Sequence, residues 1–88
     1  MKAVLDMNEL RTCGALHASL AEQFCFPDYY GRNLDALFDC LSDLPEAELQ
    51  IKNAGRMTEN MGETYARRFF RVLDAASREG HLHLEILS

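Results

Sequence analysis

Asn33-Leu34-Asp35-Ala36-Leu37-Phe38-Asp39-Cys40-Leu41-Ser42-Asp43-Leu44-Pro45-Glu46-Ala47-Glu48-Leu49-Gln50-Ile51-Lys52 changes its hydrophobic period once, at Pro45. Before the proline, apolar residues recur at helical spacing. After it, Ala47, Leu49 and Ile51 alternate with Glu48, Gln50 and Lys52. The first half predicts a helix from Leu34 to about Asp43, with Asn33 as its N-cap and Pro45 as its stop. The second half predicts a strand with one wet face.

Working outward, Lys2 to Asp6 reads as a first strand, and Thr12 to Phe24 as a first helix carrying Cys13, Leu16, His17, Leu20 and Phe24 on one face. Phe26-Pro27 forces extended or turn backbone at Phe26 and ends that helix. Tyr29, Tyr30 and Gly31 make a tight connection in which Gly31 is free to take positive φ. Asn53 to Met61 is weakly patterned and allows a short helical turn. Glu63 to Glu79 is a long helix with Tyr65, Phe69, Val72, Leu73 and Ala76 on its apolar face and Gly80 as its C′ residue. His81 to Leu87 alternates as a third strand. Strands separated by helices pair in parallel through right-handed crossovers, and alternating strands need helices on one face only. The expected fold is therefore an α/β two-layer sandwich, a three-stranded parallel sheet with helices on one face, in one domain over residues 1–88.

Composition bounds the function. Eighty-eight residues support a single small core. The net charge of −5 argues against a protein that grips nucleic-acid phosphates directly. No apolar run is long enough to cross a bilayer, and the N-terminus meets Asp6 too early for a secretory signal. Three cysteines (Cys13, Cys25, Cys40) without a C-x-x-C pair fit a reduced, cytoplasmic chain.

The charge is also localised. Between Asp28 and Glu48 the acids Asp28, Asp35, Asp39, Asp43, Glu46 and Glu48 face one base, Arg32, while the rest of the chain balances. On a helical wheel Asp39 falls ~40° and Asp43 ~80° from Asp35, so three carboxylates form one stripe. Phe38 and Ser42 border it, beside the core arc of Leu34, Leu37 and Leu41. Like charges at i,i+4 each cost a few tenths of a kcal/mol, and no basic side chain sits at i±3 or i±4 apart from Arg32 before the helix. A solvated polar face is the ordinary meaning of such a stripe. One that works against its own helix points instead to a basic protein partner.

The run Pro27-Asp28-Tyr29-Tyr30-Gly31-Arg32-Asn33-Leu34-Asp35-Ala36-Leu37-Phe38-Asp39-Cys40-Leu41 resembles the signature of the barstar family, intracellular inhibitors of a small secreted ribonuclease. Lys2-Ala3-Val4, Leu16 with His17 and Leu20, and Glu79-Gly80 through Ile86-Leu87-Ser88 are similar to that family too, while the likeness is weak from about Pro45 to Gly62. The resemblance implies a non-enzymatic protein whose second helix, with the loop before it, plugs a ribonuclease active site. Asp39 would stand for the RNA phosphate. Tyr29, Asn33, Asp35, Phe38 and Ser42 would make contacts, with Glu79 as a more distant acid. Asp43 and Leu44 depart from the family pattern, as do Phe38 (usually tryptophan) and Ala75 (usually an acid), which implies altered specificity. The implied partner is a basic extracellular-type ribonuclease, and the free chain is expected to be a monomer with no cofactor. The alternative is a module of the same fold that regulates or scaffolds another basic protein.

Other constellations carry less. His17 on an apolar helix face reads as a satisfied buried histidine. His81 and His83 point the same way, as two zinc ligands could, but lack a completing shell. Arg67, Arg68, Arg71 and Arg78 read as the solvated outer side of the last helix. Asp35 and Asp39 could be catalytic carboxylates or a Mg²⁺ site, yet they lie on a convex helix without a phosphate-cradling glycine loop.

Overall fold

The computed structural model describes residues 1–80 and 82–87. The elements run β1 (Lys2–Asp6), α1 (Cys13–Phe24), α2 (Leu34–Asp43), β2 (Ala47–Lys52), α3 (Arg56–Met61), α4 (Glu63–Arg78) and β3 (Leu82–Ile86). The sheet has the order β1-β2-β3 with both pairings parallel, as the strand–helix alternation predicts. Leu5 aligns with Ile51, and Leu49 with Leu84.

Alternation then sorts the side chains. Ala3, Leu5, Ala47, Leu49, Ile51 and Leu82 turn to the helices and are buried. Lys2, Glu48, Lys52, His83 and Glu85 are exposed on the opposite, open face. Leu16, Leu20 and Phe24 of α1 and Phe69, Leu73 and Ala76 of α4 fill the core, with Met7 and Met57 closing one end. α1 packs on β1 and α4 on β3, while α2 packs chiefly on α4. The helix that carries the acids thus lies on a helical bed.

Local chemistry fixes the boundaries. Thr12 caps α1, its hydroxyl accepting from Ala15 N at 3.1 Å. The helix ends at Phe24, and its C-cap Cys25, just before Phe26, takes the left-handed conformation (φ 55°, ψ 46°). Leu44 is extended (ψ 140°), as the residue before a proline must be, and so α2 stops. The weakly patterned stretch contains α3. Gly62 (φ 89°) separates α3 from α4, and Gly80 (φ 88°) follows the last helix as expected.

The expectation at Gly31 needs correction. The left-handed residue in that connection is Arg32 (φ 54°). Glycine suits position 31 for another reason: a Cβ there would lie 3.1 Å from the Asn33 side-chain amide and 3.5 Å from the Ala36 Cβ, crowding the N-cap of α2.

Candidate functional site

α2 begins at a well-made cap. Asn33 is extended, and its Oδ1 accepts from Ala36 N at 2.8 Å. Leu34, Leu37 and Leu41 are buried beneath the helix, while Asp35, Asp39 and Asp43 are exposed along its outer side. Asp35 in the first turn is favoured by the helix dipole. Asp43, the last helical residue, is opposed by it, and no basic residue occupies that turn. Among the described residues the ion pairs are Arg56–Glu59, Arg67–Glu63 and Arg78–Asp74. None involves α2.

Two grooves flank the stripe, and Asp39 lines both. On one side a groove of about 310 Å³ runs between α2 and the 25–31 loop, walled by Tyr29, Tyr30, Cys40, Asp43 and Leu44. On the other, a groove of about 380 Å³ between α2 and α4 is walled by Asp35, Phe38, Arg71, Val72 and Ala75. Asp39 is therefore the crest of the surface. Asn33 and Asp35 share a third depression with Tyr65 and Arg68.

The remaining sequence-predicted positions fall around this crest. Tyr29 is 87% exposed. Phe38 is half-buried, packed against the core at the border of the stripe, and Leu44 is packed in the same way below Asp43. Ser42 donates its hydroxyl to Glu79 Oε1 at 3.3 Å, which ties the C-terminal turn of α2 to the end of α4. Arg68 and Arg71 depart from the reading of a uniform outer side, because they line grooves shared with α2. His83 is exposed and in register with Glu48; His81 lies outside the described residues.

What sequence reasoning missed is the support behind the loop. His17 is buried as expected, and both its ring nitrogens are engaged by tyrosines. Nδ1 meets the Tyr30 hydroxyl, and Nε2 meets the Tyr65 hydroxyl at 2.7 Å. A neutral imidazole has one N–H donor and one acceptor nitrogen, so one tyrosine accepts and the other donates. Burial holds His17 below its ordinary value of 6.5, with Arg32 adding to the effect. Burial likewise pushes Tyr65 up to about 12 and Tyr30 upward. Phe26 packs against Tyr30 with ring centroids 4.9 Å apart and the rings tilted by 59°, and Tyr30 N donates to Pro27 O at 2.9 Å. One tyrosine of the Tyr29-Tyr30 pair is thus pinned inward, which sends its neighbour out into solvent. The available signal was a histidine on an apolar face, which needs two polar partners.

The three cysteines are free thiols. Cys40 borders the tyrosine groove, and its thiol is pushed up by burial, then by Asp43 and Asp39. The neutral thiol is an inert packing group there. Among the described residues no group of three or more His, Cys, Asp or Glu is placed to hold a metal ion, and no helix is long and apolar enough to cross a membrane.

Comparison with known proteins meets this geometry. The profile of the family described as Barstar (barnase inhibitor) matches residues 1–85. A Bacillus subtilis (strain 168) protein named "Putative ribonuclease inhibitor YrdF" is 40% identical over 81 residues, covering 89% of this chain and 87% of that protein. With the parallel sheet and the capped acidic helix already in place, the match over nearly the whole chain shows that it belongs to the barstar family, whose inhibitors are not enzymes.

Proposed function

We propose that the chain inhibits a basic ribonuclease by seating α2 and the 25–33 loop in the enzyme's active site, with Asp39 in the place of the RNA phosphate. The observation that carries this reading is the stripe of Asp35, Asp39 and Asp43, exposed and without an ion-pair partner among the described residues, with Asp39 on the crest between two grooves. A ribonuclease site is preorganised to hold negative charge on a phosphoryl group. A carboxylate occupies those donors but offers no leaving group and no attacking 2′-hydroxyl, so it is bound and not cleaved. Asp35 and Asp43 steer a cationic enzyme toward the crest, and Tyr29 supplies an aromatic surface beside it.

Phe38 and Arg71 set the specificity. A half-buried phenylalanine makes a lower contact than a projecting indole, and Arg71 of α4 places a positive charge in the groove that Asp39 lines. The best partner then carries its cationic residues over the Tyr29 side and neutral or acidic groups over Arg71. Titrating wild type and Asp39→Ala against small basic ribonucleases tests the mechanism. Wild type blocks RNA cleavage by its cognate enzyme, and Asp39→Ala weakens the block by about 100-fold or more, as loss of a central hot spot does. Equal inhibition by the two proteins removes the phosphate mimic.

A further inference from the structure

The two edges of the sheet are finished differently. In a parallel pair, alternate residues turn both backbone groups to the same side. β1 turns Val4 outward, and Gln23 of α1 caps it from the side: Val4 N donates to Gln23 Oε1 at 2.8 Å, and Gln23 Nε2 donates to Val4 O at 2.9 Å. At the other edge, Leu87 turns toward β2, donating to Ile51 O at 2.7 Å and accepting from Ala54 N at 3.1 Å. By the same alternation Leu82, Leu84 and Ile86 turn their backbone groups outward. Among the described residues no side chain caps them as Gln23 caps Val4. Ile86 is also 48% exposed. An uncapped edge of this kind is a template for another strand.

We infer that the outer edge of β3 pairs antiparallel with β3 of a second copy of this chain, about a two-fold axis at Leu84. This register uses the backbone groups the edge presents. Leu84 faces the second copy's Leu84, and Leu82 faces its Ile86, all as hydrogen-bonded positions. The intervening, closely spaced positions then set His83 against the second copy's Glu85, and Glu85 against its His83. The strand is thus complementary to itself in hydrogen bonding when reversed, an imidazole N–H facing a carboxylate. His83 already lies beside Glu48 and Glu85 beside Gln50, which donates to it, so each new pair extends an existing polar row on the open face. A parallel or shifted pairing would lose that match. The contact is isologous and closes at two chains. It uses no acid of α2, so it stands or falls apart from the inhibitory role. A five-residue edge buries little area, so the pairing is weak and monomers dominate in dilute solution.

Sedimentation equilibrium between about 10 μM and about 1 mM tests this, a range that covers weak association. The wild-type weight-average mass rises with concentration from 10.0 kDa toward twice that value. Glu85→Lys sets lysine against histidine and flattens the rise. The double variant His83→Glu with Glu85→Lys sets a carboxylate against an ammonium across the edge and restores the rise. Circular dichroism of each variant confirms that it is folded. A wild-type mass fixed at 10.0 kDa, association unchanged in Glu85→Lys, or failure of the double variant to recover it each overturns the assignment.

Discussion

α2 and α4 pack against each other and share an amphipathic build but treat their charges differently. α4 pairs four of its six charges: Arg67 meets Glu63 at 2.7 Å, and Arg78 meets Asp74 at 3.1 Å, both at i,i+4, while Arg68 and Arg71 line the grooves shared with α2. α2 repeats the same spacing with three aspartates and no base among them. α4 also holds the loop before α2, because Tyr65 grips His17 and His17 grips Tyr30. One helix is a support in which opposite charges meet at i,i+4. The other is an exposed surface whose like charges cost it stability and, in the function proposed, serve a partner.

Breaking the support should have the largest effect on folding. Tyr30→Phe leaves a nitrogen of buried His17 without its partner, and denaturant unfolding should show a loss of about 1–3 kcal/mol. Acid acts on the same clasp more gradually. Burial holds His17 below 6.5 in the folded chain, so the unfolded chain binds the proton first. The clasp's contribution is therefore complete above pH 6.5 and is lost as pH falls from there through the lower folded value. Stability measured across that window should decline in wild type, and His17→Gln should flatten the decline. The exposed charges of α4 come next. Arg67→Ala removes a solvent-exposed pair and should change stability by no more than about 0.5 kcal/mol, seen as a small shift in the unfolding midpoint.

The division between the helices also explains what could be read from the sequence. The period change at Pro45, the Asn33 cap, the strand alternation and the aspartate stripe are local patterns, and each reappears in the structure. The clasp joins residues 48 positions apart, the Ser42–Glu79 bond spans 37, and no periodicity reports contacts of that range. Arg71 looked like part of a solvated face because a helical wheel carries no information about the neighbouring helix. The assignment of positive φ to Gly31 rested on residue type alone. The deciding factor was space, since a Cβ at position 31 would press on the cap while Arg32 could take the left-handed turn outside it.

The most direct test of the central claim measures folding and inhibition together in one variant, Asp35→Asn with Asp39→Asn and Asp43→Asn. Removing like charges that repel at i,i+4 should leave the unfolding midpoint unchanged or slightly raised, while inhibition of the cognate ribonuclease is lost. A variant that is markedly less stable yet inhibits as well as wild type would contradict the account, because the stripe would then serve the fold and not a partner.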